Sequence, residues 1–221
     1  MLMKIIHTGA TGLVGEGVLF ACFEHPEVEE ILIITRKPYT GVKHSKLREL
    51  IVPDFMDIEQ YKDNLDGYDA CFYCAGISSL GMGETEYTQI TYTTTLNFAK
   101  VLVDINPQMI FCHISGANTD GTEKKGAMWA RVKGKTENAL MQLPFKRVYN
   151  FRPAFMKPYK GQQNVKGYYK TISFLSPLFK FLMPHMTSTM QQVGFSMINS
   201  VSKVYEKQIL EVEDINKLAK L

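Results

Sequence analysis

The chain reads as an α/β protein built on a doubly wound parallel sheet, and three observations carry that reading. Short apolar runs of strand length alternate with amphipathic stretches of helix length. A glycine-rich turn joins the first apolar run directly to the first amphipathic stretch. The alternation then continues to Pro153, where the regular pattern stops.

Taken in order, the strand-like runs are Ile5-Ile6, 31–34, 50–52, 70–74, 109–114 and 148–151. They are nearly all apolar instead of alternating, as strands covered on both faces must be. After Gly12, the residues Leu13, Val14, Val18, Leu19 and Cys22 fall on one helical stripe, which His25-Pro26 ends. The segment between the second and third strands is rich in Lys, Gly and Pro, which predicts a loop with little helix. Tyr87, Ile90, Leu96, Ala99 and Val103 mark a long crossover over 84–104, stopped near Asn106-Pro107. A further helix is predicted over 127–141, and Pro144 opens the return to the sixth strand. The polar stretch 159–170 has no clear period and is expected to cover a cleft. Beyond it come an amphipathic segment over 193–201, a short strand over 209–212 and a last helix capped by Asp214.

Composition narrows the function classes. A hydrophobic content of 45% and a charged content of 21% over 221 residues suit one globular core. The net charge of +3 comes from scattered residues, which argues against nucleic acid as a partner. Cys22, Cys71, Cys74 and Cys112 sit in apolar runs with no charged leader before the first, which predicts reduced thiols and a cytoplasmic location. Cys71 and Cys74 form a C-x-x-C, but on a strand residues three apart face opposite ways, so no metal site is expected. The longest apolar stretch, 172–186, is broken by Pro177, Lys180 and Pro184, so no membrane span is predicted; it reads as a packed subdomain or a partly exposed lobe.

The chemistry begins at Thr8-Gly9-Ala10-Thr11-Gly12-Leu13-Val14-Gly15, placed between the first strand and the first helix. Its first glycine permits a tight turn, the second lets backbone approach a pyrophosphate, and the third lets helix and strand pack closely. A helix N-terminus then offers oriented amides and partial positive charge. This predicts a nicotinamide dinucleotide on Gly9, Thr11, Gly12, Leu13, Val14 and Gly15, in a Rossmann domain spanning 1–221. The part 154–221 is expected to form mostly a small, dependent lobe on the substrate side.

An acidic residue that favours NAD usually ends the second strand, but here that strand runs into Thr35-Arg36-Lys37. Arg36 lies about twenty residues beyond Gly15 and could fork a 2′-phosphate, so NADP(H) is expected over NAD(H); the alternative is a solvated basic pair. Asp54, with Phe55 beside it, is placed either to accept from the adenine amino group or to sit in a surface turn.

These residues resemble the atypical short-chain dehydrogenase/reductases, and within them the Tat-interacting oxidoreductase-like and NAD-dependent epimerase-like proteins. The resemblance spans most of the chain and rests on the 8–15 turn, Thr35-Arg36, Asp54-Phe55, Cys74-Ala75-Gly76, Ser115-Gly116-Ala117, Val132-Lys133-Gly134-Lys135 and Phe151-Arg152-Pro153. It implies that Cys74, Ala75 and Gly76 line the nicotinamide ribose, that Ser115 polarises a substrate carbonyl or hydroxyl, and that Lys133 holds the ribose hydroxyls. It further implies that Pro153, Ala154 and Phe155 contact the carboxamide side.

One position departs from that pattern. The proton-donating tyrosine four residues before the lysine is replaced by Trp129. An indole N–H donates a hydrogen bond but does not titrate usefully. Candidates for the missing acid are His113, which is otherwise a core residue, and Tyr87, Tyr92, Tyr159, Tyr168 and Tyr169. Arg131 either aids an anionic substrate or points to solvent. The expected function is therefore an NADP-dependent oxidoreductase or epimerase acting on a small carbonyl or sugar-like compound, with Ser115, Lys133 and Trp129 at the reacting centre. A catalytically weak NADP(H)-sensing regulator working through a protein partner, a homodimer, and a lipid-associated carrier using 172–186 remain open.

Overall fold

A computed structural model describes residues 2–165 and 186–221. Among these residues the main sheet has seven strands, all pairs parallel: β1 (Met3–Thr8), β2 (Val28–Thr35), β3 (Leu47–Ile51), β4 (Ala70–Tyr73), β5 (Ile110–Ile114), β6 (Arg147–Phe151) and, at the far edge, Ile209–Leu210. The spatial order is β3-β2-β1-β4-β5-β6 followed by that edge strand. A two-stranded parallel ribbon pairs β7 (Phe155–Lys157) with β8 (Thr187–Thr189), and the edge strand at 209–210 is β9.

Neighbouring residues on one strand feed two different cores, which is why the runs are apolar throughout. Ile5, Ile31, Ile33, Phe72 and Phe151 face one core, whereas Ile6, Leu32, Ile34, Cys71, Tyr73 and Phe111 face the other. The first core is covered by α1 (Leu13–Glu24), α5 (Met190–Ser202) and α6 (Val212–Leu218). The second is covered by a 3₁₀ segment (Phe55–Asn64), α3 (Thr94–Ile105) and α4 (Met128–Met141). A short α2 (Glu84–Thr88) runs through a π turn (Gln89–Thr93) into α3, so the predicted long crossover is one interrupted helix. Each large apolar side chain so enclosed contributes ~1.5–3 kcal/mol by leaving water.

Two expectations about the C-terminal part need correction. Asp214 does not cap the last helix: Glu211 is the N-cap, and Asp214 sits three residues on, completing the capping box. The segment beyond 189 returns to the main layers, since β9 extends the sheet and α5 packs on α1. That packing is close because a Cβ on Gly194 would lie 2.2 Å from Cβ of Ala21. Most of 172–186, together with Tyr168 and Tyr169, lies outside the described residues.

Candidate functional site

The chain leaves β1 in one direction to build β2 and β3, then returns to β4 on the other side. At that reversal the carboxyl ends of β1 and β4 leave a crevice, where folds of this kind take their ligands. Thr8 closes its floor, with Oγ1 accepting from the amides of Cys74 and Ala75 at 3.1 Å each.

The three glycines of the turn have different jobs. Gly9 has φ +77, and a Cβ there would lie 2.6 Å from the Cys74 carbonyl carbon. On Gly15 a Cβ would lie 2.0 Å from the Gly9 carbonyl oxygen. These two are required by the protein's own packing. Gly12 is not, because its Cβ would meet nothing nearer than the Gly9 oxygen at 3.4 Å. Gly12 is also the N-cap of α1 and supplies no side-chain acceptor, so the opening amides of the helix lack a capping partner. An open face beside uncapped amides fits linked phosphates. Thr11 is exposed, and Leu13 and Val14 are half-buried against the first core.

The underside of this turn is locked. His7 is fully buried with Nε2 2.9 Å from the Gly15 carbonyl oxygen, and burial pulls its pKa down to about 4. The Glu16 carboxylate, also buried, accepts from the amides of Gln163 and Asn164 at 2.9 and 2.7 Å. The start of the polar stretch is thereby pinned along α1.

At the end of β2, Thr35 Oγ1 and the Tyr39 amide both donate to Glu49, at 3.0 and 2.6 Å. Arg36 is exposed and makes no hydrogen bond or ion pair among the described residues. Asp54 is an exposed cap, accepting from the Met56 amide at 2.9 Å. The Phe55 ring is committed to the second core, 5.4 Å from that of Phe98.

Beyond β4, Cys74 and Ala75 are half-buried and Gly76 is exposed with open space around it. Both thiols of the C-x-x-C are free, and burial pushes both pKa values up. After β5, Ser115 is buried with Oγ 3.1 Å from Thr119 Oγ1. Since Thr119 donates to the Gly116 carbonyl at 2.8 Å, the Ser115 hydroxyl is the donor of that pair. Asn118, at φ +64, turns the chain back so that Thr119 reaches Ser115.

Lys133 arrives from α4 and donates to the Ser115 carbonyl at 2.8 Å. Burial draws its pKa down to about 8, with the Glu137 charge opposing the shift. Gly134 explains how the loop can come so near: a Cβ there would lie 1.8 Å from the Asp120 carbonyl oxygen. Asp120 in turn accepts from the Thr122 hydroxyl at 2.7 Å and gathers the Thr122, Lys124 and Lys125 amides; the hydroxyl first, and then the amides, lower its pKa to about 2. Trp129 sits half-buried on the first turn of α4, with no hydrogen bond to its indole among the described residues.

Behind Lys133, Arg152 forks the fully buried Glu137 at 3.0 and 2.6 Å and reaches Glu211 at 3.0 Å. Pro153 is buried and its carbonyl accepts from Ala117 at 3.0 Å, fixing the Ser115 loop to β6. Ala154 and Phe155 lie half-buried next to it.

Several candidates for the missing acid are elsewhere engaged. His113 is buried with Nδ1 3.0 Å from Asn150 Oδ1, and burial, aided by Lys133, brings its pKa down to about 3. Tyr159 donates to Glu24 at the far end of α1. Tyr87 is buried, and Tyr92 lies under the Lys135 ammonium, 4.5 Å from its ring centroid. Arg131 neither points freely to solvent nor faces the crevice unpaired: it donates to the Gly126 carbonyl and to Glu84, both at 2.9 Å. Thr119, Asp120 and the Glu137–Arg152 pair were missed in the sequence. The glycine in mid-helix, Gly134, was the visible signal for the close loop.

No family model matches the chain. Among curated proteins it is similar to the leucinostatins biosynthesis cluster protein T of Purpureocillium lilacinum, 27% identical over 88% of this chain and 83% of that one. It is also similar to protein FMP52, mitochondrial, of Meyerozyma guilliermondii, 26% identical over 70% of this chain and 65% of that protein, just under two thirds of its length. Among solved structures, Bordetella bronchiseptica WbmG in complex with NAD superposes with a TM-score of 0.69 at 14% identity, covering 99% of this chain and 77% of that one. UDP-glucose 4-epimerase of Thermotoga maritima with UDP-glucose gives 0.68 at 12%, covering 99% and 82%. The chain therefore has the Rossmann α/β fold shared by these epimerase and NAD-complex structures.

Proposed function

We propose that this protein belongs to the atypical, epimerase-like short-chain dehydrogenase/reductases, binds a nicotinamide dinucleotide, NADP(H) before NAD(H), and acts as an oxidoreductase or epimerase on a small carbonyl or sugar-like compound. The carrying observation is Gly12, whose bareness the protein's own packing does not require, beside the uncapped amides of α1. The NAD named with WbmG supports the class of cofactor. For the choice of NADP(H), the support is Arg36, exposed just past the end of β2 and without a hydrogen-bond or ion-pair partner among the described residues. A charge-assisted bond there contributes ~1.5–3 kcal/mol, on the order of ten- to hundredfold in affinity.

In this reading Gly9, Thr11, Gly12, Leu13, Val14 and Gly15 hold the pyrophosphate, and Arg36, with Asp54 and the Phe55 backbone, takes the adenosine end. Cys74, Ala75, Gly76, Lys133 and Pro153 line the nicotinamide end. The bound cofactor supplies or accepts hydride. Ser115 donates to the substrate oxygen once its hydroxyl swings from Thr119, and Trp129 covers the reacting pair and excludes water. The second reading, a sensor that binds NADP(H) and signals to a protein partner, is favoured by Trp129 alone, since a regulator tolerates loss of the phenol. A homodimer and a cytoplasmic location complete the proposal; four free thiols suit a reducing compartment.

Trp129 is the only tryptophan, so binding reports on itself. NADPH should quench indole emission and gain emission by energy transfer, and Arg36→Ala should weaken NADPH about ten- to hundredfold while leaving NADH within about twofold. An unchanged spectrum at saturating NADPH refutes the placement, and equal losses for both nucleotides refute the 2′-phosphate role.

A further inference from the structure

We infer that Lys133 itself is the proton donor of this chain, doing through its ammonium what a phenol at position 129 would otherwise do. The inference rests on the cofactor reading above and goes beyond it by naming the acid.

Three placements carry it. Lys133 Nζ donates one hydrogen bond, to the Ser115 carbonyl at 2.8 Å, and has no other hydrogen-bond partner among the described residues, so two of its three N–H bonds are uncommitted. It stands 4.0 Å from where a Cβ on Gly116 would lie, at the loop that also presents the Ser115 hydroxyl. The carboxylate one turn along, Glu137, is held by two bonds from Arg152 and makes no hydrogen bond to Lys133, so the ammonium is not locked in an ion pair.

The surrounding titratable groups do not compete for the role. From β5, His113 faces Asn150 and stays neutral. From β6, Arg152 is spent on Glu137 and Glu211. On α2 and the π turn, Glu84 is paired with Arg131, Glu86 is exposed, Tyr87 is buried and Tyr92 lies under Lys135. On α3, Lys100 and Asp104 are exposed on the outer face. The pKa of about 8 suits a group that must both hold and release a proton near neutrality.

The step balances without a phenol. As the carbonyl carbon accepts hydride from a reduced nicotinamide, the C=O π pair moves to oxygen, and that oxygen takes a proton from Lys133 Nζ. The neutral amine then regains a proton from water.

Two measurements on the full chain test this. Competitive acetylation with acetic anhydride over a pH series, read by mass spectrometry with exposed Lys124 and Lys125 as internal comparators, should give Lys133 a midpoint near pH 8, below the ~10.4 of lysine in model peptides. With NADPH and 4-nitrobenzaldehyde or 9,10-phenanthrenequinone as probes, kcat should fall tenfold per pH unit above pH 8. Lys133→Arg keeps the charge but does not release the proton, so kcat should drop by ~10²–10⁴-fold and lose that limb, with NADPH affinity, read from Trp129 emission, within about tenfold. Methylamine should restore part of the rate to Lys133→Ala. A Lys133 midpoint equal to that of Lys124, an arginine variant with parental rate and profile, or normal NADPH binding with no turnover of either probe would each overturn the assignment. Absence of NADPH binding in the parent is the separate result that removes the cofactor reading and this inference together.

Discussion

The phosphate cradle and the proton-handling corner lie at the carboxyl ends of β1 and β5 in the same parallel sheet, yet they are built on opposite principles. The cradle is made of backbone: Gly9 and Gly15 are bare because carbonyls fill the space where a Cβ would go, and Gly12 is bare without such a neighbour. In the corner, side chains do the work: the Ser115 hydroxyl bonds Thr119, Lys133 donates to the Ser115 carbonyl, and Glu137 is held separately behind them by Arg152. Backbone geometry leaves a fixed spacing in the sequence. Side-chain geometry leaves only residue types, so a substitution such as Trp129 changes the chemistry without disturbing the frame.

The largest expected effect separates the glycines within the cradle. Gly15→Ala drives a methyl into the Gly9 carbonyl, which neither backbone can relieve, and should cost at least about 3 kcal/mol of stability together with measurable NADPH binding. Gly12→Ala should change stability by under about 1 kcal/mol, the scale of an N-cap change, yet weaken NADPH by the ~1–3 kcal/mol of an unwanted methyl at a packed contact. Urea unfolding and Trp129 emission measure the two quantities. Equal behaviour of the two variants would break the distinction between glycines kept for packing and a glycine kept for ligand.

This difference in construction also governs what the sequence disclosed. The sheet was legible because its residues are apolar on both faces, and the 8–15 turn because three glycines at fixed spacing follow a strand. The Asp54 turn and the solvated setting of Arg36 were legible only as alternatives, since exposure leaves no pattern. Arg131 was misread because its partner, Glu84, lies 47 positions away on another helix, a pairing that helical spacing does not reveal. Thr119 was invisible for a local reason: it meets Ser115 only because Asn118 adopts φ +64, which the residue type permits without requiring it.

Acid should act on both regions alike. His7 lies under the cradle and His113 under the corner, both buried and neutral, with pKa values of about 4 and about 3 against an ordinary 6.5. Below pH 6.5 the unfolded chain binds protons that the folded one refuses, so this stabilisation is complete above that pH and is lost as pH falls toward 4 and 3. The expected slope is ~1.4 kcal/mol per pH unit for each histidine. His7→Gln keeps a donor for the Gly15 carbonyl and should halve the combined slope between pH 6 and 5, as read from urea midpoints. An unchanged slope would mean that protonation beneath the cradle is tolerated, and the two regions would then differ in rigidity as well as in construction.

The smallest expected effect concerns the rim of the corner. Arg131 bridges α4 to Glu84 at 2.9 Å, with the arginine 29% and the glutamate 56% exposed. Such a pair contributes ~0.2–1 kcal/mol, and less as salt rises. Glu84→Gln should therefore lower stability by no more than about 0.5 kcal/mol and leave NADPH affinity and probe turnover within about twofold. If the guanidinium instead receives an anionic substrate, freeing it from Glu84 should tighten an acidic aldehyde such as 4-carboxybenzaldehyde relative to 4-nitrobenzaldehyde. A lower KM for the acidic probe alone would move Arg131 from the frame into the substrate site, whereas parallel constants for both aldehydes keep it a tie between two helices, with Lys133 the only cation of α4 that serves the reaction.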